Sequence, residues 1–222
     1  MKPEGAGAID SRRQVEVLQA LRADLPDDCL LTHAEDTRPY ECDGLTMFRQ
    51  QPMLVALPRT EAQVVAILRS CHRMGVPVVP RGAGTSLSGG ALPHAQGVLL
   101  SMARLNRIVS IDPLARIAVV QPGVRNQAIS EQAARHGLFY APDPSSQIAC
   151  SIGGNVAENS GGVHCVKYGL TVHNVLRVRA VLSDGSIAVF GSEALDSPGL
   201  DLLSVLIGSE GMLAVVTEVS VR

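Results

Sequence analysis

Glycine placement most constrains how this chain folds. Of 21 glycines, five fall within residues 82–97 and five more within 153–169. Neither stretch suits the interior of a helix or strand, where glycine loses the most backbone entropy and offers no side chain to a core. The first, "RGAGTSLSGG" at 81–90, follows directly on the apolar run "VPVVP". Such a loop can turn its amides toward a ligand, because no β-carbon intervenes and successive N–H groups form a concave anion site. On this reading the amides of Gly82 to Ser88 surround a pyrophosphate, Thr85, Ser86 and Ser88 add hydroxyl donors, and Arg81 is a nearby cation. A plain glycine-rich connection between strands would have the same composition.

The familiar phosphate motifs do not match. A P-loop needs Gly-Lys followed by Ser or Thr, and the stretch has no lysine. The GxGxxG fingerprint begins with Gly82 and Gly84, but Leu87 stands where the third glycine belongs and Pro93 discourages the helix that should follow. The loop itself therefore has to hold any phosphate. The second stretch, "APDPSSQIACSIGGNVAENSGGVHCVKYGL" (141–170), has little apolar periodicity. An irregular segment of that length inside a compact domain is usually functional. Gly153, Gly154, Gly161 and Gly162 allow close approach, Ser145, Ser146, Asn155 and Asn159 offer polar groups to a heterocycle, and Asp143 is an acceptor.

Around these loops the elements are short. Val15, Leu18, Leu21 and Leu25 predict a helix over about 11–23, before Pro26. "TRPYECDGLTMFRQQ" has no period and reads as an ordered surface loop. "PMLVALP" is a strand, Thr60 with Gln63 forms a capping box, "EAQVVAILRSCHRMG" is a helix ended by Gly75, and "VPVVP" is a second strand. Strands follow at "GVLLSM", "RIVSID" and "RIAVVQPG", then a helix at "RNQAISEQAARHG". A hairpin is expected around the Asp-Gly of "NVLRVRAVLSDGSIAVFG", and a short helix, a glycine turn and a strand close the sequence. Strand and helix alternate too irregularly for a Rossmann fold. The expectation is an α+β protein of two lobes dividing near residues 115–125.

Composition excludes several classes. With 222 residues, 46% hydrophobic and 18% charged, the chain can bury a substantial core. A net charge of -2 with no Lys/Arg cluster argues against nucleic acid, and 3% aromatic residues without Trp leave few stacking platforms. No run reaches the roughly 18 apolar residues of a membrane span, and "MKPEGAGAID" lacks the apolar segment of a secretory signal. A cytoplasmic protein without a transmembrane segment is expected. Five cysteines without a CxxC suit reduced thiols, and neither a metal nor an iron–sulfur site is expected.

Five motifs in order, "RPYECDGL", "PRGAGTSLSGGA", "DPSSQIACSIGGNVAENSGG", "HCVKYGLTVHNV" and "GSEGMLAVVTEV", resemble the FAD-binding PCMH-type domain, also called the vanillyl-alcohol oxidase type. Within it the chain is most similar to the family of glycolate oxidase large flavoprotein subunits and D-lactate dehydrogenases. The resemblance covers about residues 29–222. It implies a helical segment at 1–28 and two lobes at 29–120 and 121–222, with FAD between them. Arg81, Gly82, Ala83, Gly84, Thr85, Ser86, Leu87 and Ser88 become its pyrophosphate loop. Asp143, Ser145, Ser146, Gly153, Gly154, Ala157, Asn159, Gly162, Tyr168 and Gly169 line the ribityl chain and isoalloxazine, and Glu210, Gly211 and Val216 approach the adenosine and flavin.

Some relatives attach FAD through a histidine in the first glycine loop; this loop has none, so noncovalent FAD is expected. The resemblance further implies oxidation of a 2-hydroxy acid such as glycolate or D-lactate to the 2-oxo acid, with electrons passing to an acceptor or to other subunits of an oxidase complex. Lys167, His164 and His173 are candidates for a positive group near the flavin, and Glu158 is given no chemistry. Family members continue into a substrate cap and a C-terminal catalytic segment, neither of which is expected here. Two alternatives stay open: a nucleotide-binding module without redox activity, and the FAD domain of another oxidoreductase on the same fold, such as a cell-wall precursor reductase.

Overall fold

Helix α1 (Ser11–Arg22) starts where Asp10 accepts the N–H groups of Arg12 and Arg13, and it buries Val17 and Leu21. The computed structural model describes residues 8–194 and 199–222, so the first seven residues of the N-terminal segment lie outside it. Strands β1 (Leu30–Leu31) and β2 (Leu54–Ala56) pair antiparallel. Between them run the four-residue helix α2 (Ala34–Thr37), a 3-10 turn at Arg38–Tyr40 and an irregular segment. Helix α3 (Glu61–Met74) is capped by Thr60, whose hydroxyl accepts the Gln63 N–H at 3.3 Å, while Gln63 accepts the Arg59 N–H at 2.7 Å. It ends at Gly75, which takes a left-handed φ of +63°.

Strand β3 (Val78–Arg81) leads into the first glycine stretch, and the chain returns as β4 (Val98–Ser101). The sheet order is β1-β2-β4-β3, with β4 parallel to both neighbours. One core, including Val17, Leu21, Leu54, Val64, Ile67 and Leu100, joins the sheet to α1 and α3. A smaller one, of Val55, Leu57 and Leu99, joins Leu31 and Tyr40. The N-terminal helix is therefore part of the first lobe's core rather than an appendage.

The second sheet is antiparallel in the order β5-β6-β9-β7-β8, formed by β5 (Ile108–Asp112), β6 (Ile117–Val120), β7 (Val175–Val181), β8 (Ile187–Gly191) and β9 (Val215–Val221). The change of sheet thus falls between Ser101 and Ile108, earlier than 115–125, because β6 pairs with β9 from the far end of the chain. The Asp-Gly hairpin forms between β7 and β8. Leu182 accepts the Gly185 N–H at 2.9 Å with Gly185 at φ +82°, so Asp-Gly occupies the end of a three-residue loop, not a two-residue turn.

Helix α4 (Asn126–Ala133) follows β6, as expected. The stretch at 141–170, expected to be irregular, contains helices α5 (Ile152–Glu158) and α6 (Cys165–Tyr168), with α7 (Thr171–Asn174) just beyond. Helix α5 forms because Ser151 caps it, accepting the Gly154 N–H at 3.4 Å, and Ile152 and Val156 are fully buried one turn apart. Two buried residues are too few to register as a period. Helix α8 (Leu202–Leu206) contributes Leu203 and Leu206 to the second core. The result is mixed α and β in two lobes, as the sequence predicts.

Candidate functional site

Three segments enclose a cavity of about 280 Å³: the loop leaving β3, the residues around α5, and the turn before β9. Each is positioned by contacts that only glycine permits. A β-carbon on Gly82 would collide with the Ser151 hydroxyl, and one on Gly84, at φ +72°, would strike the Arg81 guanidinium. On α5, a β-carbon on Gly153 would lie 2.6 Å from Pro122 Cβ. In the turn before β9, Gly208, Glu210 and Gly211 all have left-handed φ values, and Gly211 is seated against Pro80. The Gly208 and Glu210 N–H groups donate to the carbonyls of Val156 and Ala157 at 2.9 and 2.8 Å, stapling this turn to the end of α5.

The segment at 40–45, expected to be a surface loop, holds the glycine loop from outside. Arg81 Nη1 donates to the Cys42 carbonyl at 2.8 Å, and its guanidinium lies 5.8 Å from the Tyr40 ring centroid. The Asp43 carboxylate, 6% exposed, accepts the Gly89 N–H at 2.9 Å and the Leu45 N–H at 3.0 Å. Gly44 fits under the Thr85 carbonyl, 2.9 Å from where its β-carbon would be. "RPYECDGL" is therefore scaffold for the loop.

Arg81 is 9% exposed and has no carboxylate within ion-pairing distance among the described residues. Burial depresses its pKa, opposed by the neighbouring Cys42, Asp43 and Tyr40. A desolvated cation without a paired anion favours negative charge nearby. Across the cavity, Ser86 Oγ donates to Glu158 Oε1 at 2.7 Å and Ser88 Oγ to the same oxygen at 3.0 Å, while Ser88 Oγ lies 3.4 Å from Glu210 Oε2.

The lining includes Arg81 through Leu87, then Ser146, Gly153, Gly154 and Ala157, then Glu210, Gly211 and Val216. Ser88 meets it through the two glutamates. Asp143, Ser145, Asn159, Gly162, Tyr168 and Gly169 lie outside this lining. Asp143 Oδ2 is 2.5 Å from His164 Nδ1, a bond that holds the carboxyl below its usual range, and Gly162 packs on the Asp143 backbone. Asn159 ends α5 at φ +51° and accepts the Val172 N–H at 3.0 Å. Tyr168 meets Phe139 edge to face at 5.8 Å, and Gly169, at φ +80°, abuts the His173 ring.

The three cationic candidates are likewise outside the lining: His164 binds Asp143, Lys167 Nζ sits 4.8 Å from the Tyr168 centroid, and His173 Nδ1 accepts the Leu170 N–H. Sequence reasoning passed over Pro122, Ser151 and Glu158, all of which line the cavity. Ser151 carried a signal, an N-cap residue ahead of an apolar i, i+4 pair. Among the described residues no helix is long and apolar enough to cross a membrane, and no group of three or more His, Cys, Asp or Glu is arranged to hold a metal.

Comparison with known proteins agrees with this arrangement. A family model described as an FAD binding domain matches residues 52–191. The glycolate oxidase subunit GlcD of Escherichia coli is 60% identical over 216 residues, 97% of this chain and 43% of that protein. A D-lactate dehydrogenase of Archaeoglobus fulgidus is 39% identical over 170 residues, 76% of this chain and 38% of that protein. The mitochondrial D-2-hydroxyglutarate dehydrogenase of Bos taurus is 35% identical over 193 residues, 86% of this chain and 36% of that protein. The chain spans about two-fifths of the length of these relatives. Among solved structures, an alkyldihydroxyacetonephosphate synthase superposes with a TM-score of 0.81 at 22% identity, over 93% of this chain and 40% of that one, a likeness of fold. By its sequence the chain belongs to the family of FAD binding domains.

Proposed function

We propose that the loop from Arg81 to Ser88 holds the pyrophosphate of a noncovalently bound FAD, and that the whole protein oxidises a 2-hydroxy acid. The observation that carries the site is the glycine loop seated over a buried Arg81 that lacks a carboxylate partner. Its amides and the hydroxyls of Thr85, Ser86 and Ser88 suit phosphate oxygens, and a diphosphate supplies the missing negative charge. Gly153, Gly154 and Ala157 leave the facing wall without bulky side chains, so an extended ligand can lie along it. Glu210, Gly211 and Val216 close the end of the cavity.

When bound, FAD supplies the hydride acceptor for conversion of a hydroxy acid to an oxo acid. The chain's own residues bind and orient it: Arg81 and the loop amides fix the phosphates, and α5 sets the direction of the remainder. Asp143, Ser145, Asn159, Gly162, Tyr168 and Gly169 belong to the same reading as the more exposed edge where the ring system extends beyond the cavity. The relatives' names, a glycolate oxidase subunit, a D-lactate dehydrogenase and a D-2-hydroxyglutarate dehydrogenase, share a 2-hydroxy acid, which favours that substrate class over a redox-inactive nucleotide module. The word subunit in the name of the Escherichia coli relative supports a role beside other subunits of an oxidase complex; the reading keeps the protein cytoplasmic, with any membrane contact made through such partners.

The test is a visible absorbance spectrum of the purified protein before and after incubation with FAD and gel filtration. Flavin bands that elute with the protein and are released by acid support the reading. Protein that is colourless as purified and binds ADP as well as FAD supports the nucleotide module instead.

A further inference from the structure

A carboxylate faces the hydroxyls that a phosphate site needs. Half-buried Glu158 is the last residue of α5, and its Oε1 accepts from both Ser86 Oγ at 2.7 Å and Ser88 Oγ at 3.0 Å. The two hydroxyls are themselves 2.8 Å apart, and Ser88 Oγ also lies 3.4 Å from Glu210 Oε2. Neither glutamate has a basic partner within ion-pairing distance among the described residues. The nearest lining cation, Arg81, is engaged by the Cys42 carbonyl. Each serine has a single O–H to give, so a hydrogen bond to Glu158 and one to a ligand phosphate exclude each other.

We propose that Glu158 competes with the ligand's phosphates for Ser86 and Ser88, and that its charge limits how much negative charge the cavity accepts. The inference rests on the glycine loop being the phosphate cradle. Seating a diphosphate turns both hydroxyls away from Glu158 and leaves its carboxylate beside an anion. A doubly esterified diphosphate suffers less from this than a terminal phosphate, which carries more charge, and a neutral ligand does not suffer at all. Glu158 thereby keeps the loop ordered before binding and selects a dinucleotide over a nucleoside diphosphate.

Calorimetric titration with FAD, ADP and riboflavin tests this on wild type, Glu158→Gln and Glu210→Gln, after removal of endogenous flavin. Glutamine keeps an acceptor oxygen and removes the charge. Glu158→Gln is expected to bind FAD about tenfold more tightly, the scale of one close charge contact in a partly solvated site. ADP should gain at least as much and riboflavin nothing. Glu210→Gln should shift FAD affinity the same way by less, its serine contact being longer. Unchanged or weaker FAD binding in Glu158→Gln, with wild type still binding FAD more tightly than riboflavin, overturns the role of Glu158 and leaves the phosphate site standing. An equal gain for riboflavin overturns it as well, since charge is then not what changed. Wild type that binds riboflavin as tightly as FAD removes the phosphate reading and this inference together. A melting curve shows whether Glu158→Gln is folded; if it is not, Glu210→Gln carries the same comparison.

Discussion

Gly84 combines a left-handed φ of +72° with a β-carbon position that the Arg81 guanidinium already occupies. Valine at this position costs about 1–2 kcal/mol for the backbone conformation and displaces Arg81 as well. Gly84→Val should stay folded by circular dichroism, melt a few degrees lower and lose FAD on gel filtration; normal flavin retention would count against the phosphate assignment. Asn159 makes a different point at this scale. It takes φ +51° and accepts the Val172 N–H at 3.0 Å, so its side chain is used by the fold. Asn159→Leu should lower stability by about 1–2 kcal/mol in urea unfolding, through the left-handed conformation and the lost acceptor. The sequence offers Asn159 as a polar group for a heterocycle, while in the fold its side chain accepts the Val172 N–H; both uses need a short polar side chain.

Among the elements, α5 forms the wall facing the glycine loop and was the least legible. Its "IGGNVAE" puts two glycines in the first turn, which disfavours a helix. Packing outweighs that preference: Gly153 has no room for a β-carbon beside Pro122, whose backbone oxygen would lie 3.1 Å away, and Asn155 donates to buried Asn126 at 2.8 Å. Gly153→Val should therefore cost about 1–3 kcal/mol by overpacking and weaken FAD binding at the same time. A stability loss without any change in FAD affinity would separate α5 from the site. The strands and long helices were far more readable. Helix α3 announced itself by its cap, its apolar period and Gly75, all local signals.

For the molecule as a whole, one clamp ties the lobes together. Glu61 at the start of α3 accepts from Arg179 of β7 at 2.7 and 2.9 Å and from the Thr217 hydroxyl of β9 at 2.7 Å. The Arg179 hydrogen bond holds the Glu61 carboxyl below its ordinary pKa despite desolvation. A depressed folded-state pKa means the clamp stabilises fully above the unfolded value, about 4.3, and is lost as pH falls through the folded one. Wild type should lose melting temperature more steeply below about pH 4.5 than Glu61→Gln, with a difference near neutrality of about 1 kcal/mol, since both side chains are partly solvated. Parallel pH profiles for the two proteins would show that the clamp contributes nothing.

What the sequence by itself determined is what local chemistry determines: the capped helix α3, the Asp-Gly hairpin, the glycine loop after β3 and the α+β class, each set by residues a few positions apart. The family was legible for the same reason, since its motifs are short runs. Tertiary structure alone decided that β6 pairs with β9, that "CDG" grips the loop through Cys42 and Asp43, and that Glu158 meets Ser86 and Ser88. Those contacts join residues roughly forty to one hundred apart. No periodicity or spacing records such pairs, because they depend on how two separately formed sheets pack and on which backbones glycine lets approach.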